Sequence, residues 1–319
     1  MTKIAFLFPG QASQYSGMGL DLYQKFPAAK ATFDEADAAL GFPISKICFE
    51  GSEEDLKPTE NTQPAILTVS IAAYRVLTEK VPAPDYVAGH SLGEFSALVA
   101  AGSLTFTDAV RLVRDRGRYM QEAVPVGEGA MAAILGLAPA LVAEICRRAA
   151  DGEIVVPANL NAPGQTVISG SAAAVKRAVE LASQSGAKRA VMLPVSAPFH
   201  SEMMKPAEDR LAEDLRRTTF HDLKVPLVTN VDAEPITSGE EARAALIRQV
   251  RQPVLWEESI RALLELGVAL FVEVGPGRVL SGLMRQIDRS VRVTNVEDGD
   301  SLAAALEKFS REQVTDGEA

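Results

Sequence analysis

The segment from Tyr86 to Ala101 constrains the chain most. A short apolar strand, Tyr86–Ala88, is predicted to run into Gly89-His90-Ser91-Leu92-Gly93 and then into an apolar helix, Glu94–Ala101. Turning a strand into a helix within five residues crowds the backbone on both sides of the serine. Glycine at each end avoids that clash. The turn lifts the serine oxygen above the sheet, at a helix N-terminus that favours developing negative charge. The pattern G-x-S-x-G alone is also compatible with a simple tight turn. The strand before it and the helix after it favour an elbow that presents Ser91 as a nucleophile.

The rest of the chain supplies the sheet that such an elbow needs. Ile4–Phe8 is a compact apolar run closed by Pro9-Gly10, the pattern of a buried strand entering a loop. Its neighbourhood is too short for a signal-peptide apolar region. Helical spacing is expected at Leu20–Leu40, Ala65–Glu79 and Phe106–Glu122, the last carrying Arg111, Arg114, Arg116 and Arg118. The middle changes character. Strand-like runs Gly129–Leu137, Ile154–Leu160, Thr166–Ser169 and Ala190–Val195 enclose helical stretches Ala138–Ala150 and Ala172–Gln184. That β-α-β-β-α-β order is the ferredoxin-like motif. It predicts a small unit over 127–196, roughly 70 residues, an ordinary domain size. Strands and helices then resume with Glu202–Arg217, Leu227–Asn230, Glu240–Gln249, Trp256–Leu266, Leu270–Val274 and Val279–Gln286. The expected fold class is α/β, an α/β-hydrolase-like parallel sheet over 1–126 and 197–310 with a smaller inserted domain. Residues 311–319 read as a flexible tail.

Composition removes several functions. The chain has 319 residues and a net charge of −10, which disfavours nonspecific binding to nucleic acid or an anionic membrane. No run approaches the ~18 consecutive apolar residues of a membrane span. The two cysteines, Cys48 and Cys146, are far apart and form no C-x-x-C, which suits a reducing cytoplasm. Three scattered histidines without H-E-x-x-H argue against a metal site.

Those three histidines also allow the base to be chosen by elimination. A serine hydroxyl is a poor nucleophile until a base takes its proton. His90 adjoins Ser91 in the tight turn, so its side chain is expected to pack under the elbow. His221 lies among charged residues and reads as a surface histidine. His200, in Ser196-Ala197-Pro198-Phe199-His200-Ser201, sits in a rigid proline-containing loop of the kind that enters a site from a scaffold. It is the expected base. A hydrolase would add an orienting carboxylate between serine and histidine. Asp108, Asp115 and Asp151 lie in that interval, none in a recognisable context.

Five segments occur together in order: Phe8-Pro9-Gly10-Gln11, Gly89-His90-Ser91-Leu92-Gly93-Glu94, Asn161-Ala162-Pro163-Gly164-Gln165, Pro198-Phe199-His200-Ser201 and Glu273-Val274-Gly275-Pro276-Gly277. With them the chain resembles the malonyl-CoA:acyl carrier protein transacylases from about Lys3 to Leu306. The resemblance implies transfer of malonyl from malonyl-CoA to the phosphopantetheine thiol of acyl carrier protein, supplying fatty-acid synthesis. It implies that Ser91 carries the malonyl ester and that His200 is base and then acid. It places the backbone carbonyl of Gln249 behind the histidine, in place of the missing acid. The backbone amides of Gln11 and Leu92 would form the oxyanion hole. Arg116 would hold the free malonyl carboxylate, a planar fork matched to a carboxylate. Arg111, Arg114 and Arg118 read as a solvated helix face. Phe199 matches a position whose bulk disfavours methylmalonyl. Gln63, His90, Met120, Asn161 and Val279 match positions near the cleft. Asn161 equally suits a loop cap, and the apolar residues equally suit core packing.

No cofactor and no metal is expected, because CoA is a substrate and phosphopantetheine belongs to the partner. The chain is expected to act as a monomer in the cytoplasm. Two other readings share much of the pattern: a discrete acyltransferase serving a polyketide synthase, and a serine thioesterase or esterase. A non-catalytic scaffold is disfavoured by the intact serine, histidine and arginine.

Overall fold

The computed structural model describes residues 2–195 and 197–317. Its larger sheet has six strands in the order β10-β9-β1-β2-β7-β8. The strands are β1 (Lys3–Phe8), β2 (Tyr86–Gly89), β7 (Leu227–Val228), β8 (Pro235–Ile236), β9 (Val268–Val274) and β10 (Arg292–Val296). Neighbours run parallel except β7 and β8, which are antiparallel. β1 sits centrally and is buried on both faces, as parallel strands require. Its side chains alternate between two cores. Phe6 and Phe8 join Ile66, Val69 and Phe95 on one face. Ala5 and Leu7 join Trp256, Ile260, Phe271 and Leu283 on the other. Each fully buried large apolar side chain contributes about 1.5–3 kcal/mol.

The second sheet holds β3 (Gly129–Leu135), β4 (Val155–Ala162), β5 (Gln165–Ser171) and β6 (Arg189–Met192) in the order β4-β5-β3-β6, all antiparallel. Helices Pro139–Ala150 and Ala172–Gln184 cover one face, packing Val142, Ile145, Val175 and Ala178 on Ala132, Ile134 and Ile168. This is the split β-α-β arrangement expected from the element order. Main-chain bonds tie β4 to the larger unit: the Leu160 N–H donates to the Val254 carbonyl, and the Val254 N–H to Ala158.

Several expectations shift. The stretch Leu20–Leu40 is two helices, Leu20–Lys25 and Pro27–Leu40. Phe26 is extended because the residue before a proline avoids the helical region. The helix expected from Ala65 begins at Thr59 and takes Pro64 inside, so Gln63 is helical. Pro64 lies beyond the first turn, whose N–H groups alone lack intrahelical partners, so it removes one bond of the helix ladder, the one that would reach the Glu60 carbonyl. β8, β10, the short helices Ile44–Glu50 and Glu53–Leu56 and the last helix, Gly299–Gly317, lie outside the expected elements. That helix covers most of the segment read as a tail; residues 318–319 lie outside the described residues, as does Ser196 at the edge of the small unit. Among the described residues no helix is long and apolar enough to cross a membrane.

Candidate active site

The loops after β1 and β2 leave the same edge of the sheet, the carboxyl ends of parallel strands, where open α/β sheets collect their ligands. β2 ends at Gly89, and helix Gly93–Ala100 begins four residues later. A Cβ on Gly89 would lie 2.0 Å from the Gly93 carbonyl group, and one on Gly93 would lie 2.0 Å from the Phe8 carbonyl oxygen. No side chain fits at either place. Between them Ser91 adopts φ 50°, a left-handed conformation that a non-glycine residue adopts at a cost. The Ser91 N–H donates to Asn230 Oδ1 at 2.7 Å, and Asn230 Nδ2 donates to the Gly89 carbonyl at 2.7 Å. Asn230 therefore clasps the elbow from the turn just after β7.

Ser91 Oγ lies 2.8 Å from His200 Nε2. His200 Nδ1 lies 2.8 Å from the Gln249 carbonyl oxygen. A carbonyl can only accept, so Nδ1 carries the proton and Nε2 presents its lone pair to the serine. A backbone carbonyl thus occupies the place behind the imidazole where a hydrolase would put a carboxylate. Asp108 and Asp115 are engaged otherwise, with Thr105 and Arg118. Burial and the nearby Arg116 cation push the His200 imidazole down to about 3. The ring is neutral, ready to accept a proton, at every pH above that range. The rate constant for acylation of Ser91 is therefore expected to show no acid limb near 6.5, the ordinary histidine value. A pH–rate profile from 5 to 8 with a histidine-like fall would contradict this.

Arg116, on helix Phe106–Glu122, is 1% exposed. It donates to Gln63 Oε1 at 2.9 Å, to Gln249 Oε1 at 3.0 Å and to Ser91 Oγ at 3.1 Å. All three acceptors are neutral. Desolvation lowers its ionisation to about 10, so it stays cationic at neutral pH. A buried cation beside a serine–histidine pair is suited to an acyl group that ends in a negative charge. Gln63 also donates to Gln11 Oε1 at 3.2 Å, which joins the loop after β1 to the arginine. Among the described residues neither the Gln11 nor the Leu92 backbone N–H has a protein acceptor.

The chain matches the acyl transferase domain family over residues 5–313. It is 51% identical to the malonyl CoA-acyl carrier protein transacylase of Bacillus subtilis over 313 residues, 98% of this chain and 99% of that one. It belongs to the malonyl CoA-acyl carrier protein transacylase family. The solved transacylase of Coxiella burnetii superposes with a TM-score of 0.94 at 45% identity, covering 96% of this chain and 97% of that one. A malonyl-transacylase solved in complex with a type II PKS acyl-carrier protein gives 0.94 at 46% identity, covering 96% and 100%. The α/β fold with a six-stranded, mostly parallel sheet and a small antiparallel sheet is that of this family.

The structure brings together most of the positions named from the sequence. Ser91, His200, Arg116, Gln249, Gln63 and Gln11 form one hydrogen-bonded cluster. Met120 is buried against it, its sulfur 3.9 Å from Gln63 Nε2. His90 turns away from the serine. Its Nε2 lies 2.8 Å from Asn161 Oδ1 on β4, and its ring meets Trp256 edge-on. Phe199 is buried beside His200. Val279 stands 42% exposed at the first position of its helix and takes no part in the network around Ser91. His221 is exposed, as its charged neighbours suggested. Among the described residues no group of three or more His, Cys, Asp or Glu is arranged to hold a metal.

Sequence reasoning missed two members. Asn230 supports the elbow, and its signal was a polar side chain just past an apolar strand of the sheet. Glu94 is fully buried, and its Oε2 accepts from Gln249 Nε2 at 2.7 Å. Its signal was a lone carboxylate in an otherwise apolar helix.

Proposed function

We propose that the protein transfers malonyl from malonyl-CoA to the phosphopantetheine thiol of acyl carrier protein, supplying fatty-acid synthesis, through an ester on Ser91. The observation that carries this reading is the buried Arg116 guanidinium 3.1 Å from Ser91 Oγ, in a chain of this family. A free carboxylate on the acyl group would meet the cation while its thioester carbon meets the serine.

His200 Nε2 takes the proton from Ser91 Oγ as the oxygen attacks the thioester carbon. The N–H groups of Gln11 and Leu92 hold the oxyanion. The carbon–sulfur bond then breaks, and CoA leaves as a thiol with the proton from His200. In the second half the carrier thiol gives its proton to His200 and attacks the ester. Ser91 recovers the proton, and malonyl leaves on the carrier. Gln249 serves both ends of the pair, its carbonyl orienting the histidine and its side chain the arginine. Gln63, Met120, Phe199, His90, Asn161 and Val279 are proposed to line the cleft. Phe199, buried next to His200, is proposed to disfavour the branch of methylmalonyl by its bulk. The segment 127–196 is proposed as a unit inserted into the catalytic unit of 1–126 and 197–310. A monomer in a reducing cytoplasm is proposed as the working unit, and the two buried free thiols suit that compartment.

The test is an assay with malonyl-CoA and holo acyl carrier protein. Malonyl-carrier is expected as the product; free malonate alone would favour the thioesterase reading. The likeness to a transacylase solved with a polyketide carrier keeps that pathway in view, and competition between the two carrier types separates them. His200→Ala is expected to lower transfer by about 10³-fold or more, whereas His221→Ala stays within about twofold of the parent. Equal losses in the two variants would overturn the assignment of the base.

A further inference from the structure

Arg116 is a buried cation whose three acceptors are all neutral, and its Nε has no partner. The nearest compensation lies behind Gln249. That side chain takes a hydrogen bond from Arg116 on Oε1 and gives one to Glu94 Oε2 on Nε2. Glu94 also accepts from the Asn230 N–H at 3.3 Å, while its Oε1 is buried without a partner. The amide therefore stands between a cation and a carboxylate that do not touch. Resting on the assignment of the substrate carboxylate to Arg116, we propose that Glu94 is a positioning residue that serves, across the Gln249 amide, as the counter-ion of Arg116 while the site is empty, and that the arriving malonyl carboxylate displaces its charge by driving a proton onto it.

The physical reason is that two anions compete for one cation in a site with little water. The malonyl carboxylate at Arg116 would face an ionised Glu94 across a single amide group. Like charges at such separation disfavour the ionised form of the weaker acid, here Glu94. Burial already pushes Glu94 up to about 7, against the pull of Gln249, Asn230 and Arg116. The other charges that face it are Asp232, beyond β7, which raises it further, and Arg248 on helix Gly239–Gln249, already paired with Asp232. Within the site His200 ionises far below this range and Arg116 above it, so Glu94 is the group that changes charge between pH 6 and 9. An uncharged acyl group such as acetyl makes no such demand.

The sign follows from linkage. If malonyl loading raises the affinity of Glu94 for a proton, malonyl loading weakens as pH rises through 7. A shift of one unit in Glu94 corresponds to tenfold. The ratio of kcat/KM for acylation by malonyl-CoA to that by acetyl-CoA is therefore expected to fall about tenfold between pH 6 and 9 in the parent, mostly through KM. In Glu94→Gln, which keeps an acceptor for Gln249 but no charge, the ratio should not change with pH. A direct reading needs no variant. Stoichiometric loading with malonyl-CoA in weak buffer near pH 7.5, followed with a pH indicator, should take up a fraction of a proton that acetyl-CoA loading does not.

A parent ratio that is flat across this range, with equal proton uptake for the two acyl groups, overturns the proposal even if Glu94→Gln fails to fold. A parent ratio that falls, with an equal fall in a folded Glu94→Gln, overturns it as well. Arg116→Ala measured alongside separates the two levels. Retained malonyl preference in that variant removes the substrate carboxylate from Arg116 and the proposal with it. Lost preference together with a flat parent ratio removes Glu94 alone.

Discussion

Replacing Ser91 by Ala is expected to lower malonyl transfer by about 10⁴–10⁶-fold while leaving the protein folded, the scale seen when the nucleophile of a serine–histidine site is removed. The Ser91 hydroxyl oxygen is in contact with both His200 and Arg116. The two thiols are not in place to substitute, since Cys48 and Cys146 are buried elsewhere in the cores. The backbone at 91 is strained for either residue, so alanine adds no new conformational cost. What remains is an imidazole nitrogen and a guanidinium N–H that each lose a partner, about 1–3 kcal/mol. Thermal unfolding should therefore shift by several degrees at most. Transfer assays set beside unfolding curves check both parts, and an intact Ser91→Ala protein retaining a hundredth of the parent activity would remove Ser91 from the chemistry.

Arg116→Ala is expected to abolish the preference for malonyl over acetyl. Removing one partner of a buried charge pair costs about 3–5 kcal/mol. At about 1.4 kcal/mol per decade this is roughly 10²–10⁴-fold in kcat/KM for malonyl-CoA. Acetyl-CoA has no carboxylate to lose a partner, so its kcat/KM should change far less. Arg116→Lys should recover only part of the loss. A point-charge ammonium cannot make two parallel bonds to the substrate while holding Gln63 and Gln249, as the fork of Arg116 does. An unchanged malonyl-to-acetyl ratio in Arg116→Ala would place the carboxylate elsewhere.

The elbow was the most legible part of the sequence because its requirement is local. Gly89 and Gly93 mark a backbone contact that no Cβ permits, and the apolar runs on either side announce the strand and the helix. The small sheet was legible for a similar reason: six elements of clear period follow one another with short turns. His200 could be chosen because two other histidines had poorer surroundings. The Gln249 carbonyl could not be reached that way. A main-chain acceptor has no side-chain signature, so only the family resemblance points to this carbonyl, which lies 2.8 Å from His200 Nδ1. Asn230 and Glu94 were missed because they act through contacts distant in sequence. Asn230 reaches Ser91 across 139 positions, and Gln249 reaches Glu94 across 155. Only the pairing of β2 with β7 and the packing of helix Gly239–Gln249 against the elbow bring them together.

The charge of the chain also takes on a different meaning. A net charge of −10 speaks against anionic partners, yet the inferred substrates are anionic. Placement resolves this. One fully buried guanidinium stands 3.1 Å from the proposed nucleophile, a local cation that is independent of the total on the surface.

The most direct test is the mass of the full chain after exposure to malonyl-CoA without carrier protein, followed by peptide mapping and then by addition of holo acyl carrier protein. The account predicts one malonyl group, carried on Ser91 and absent from Ser91→Ala, that passes to the carrier when it is added. A malonyl group on any other residue, or free malonate with no acylated protein, would contradict it.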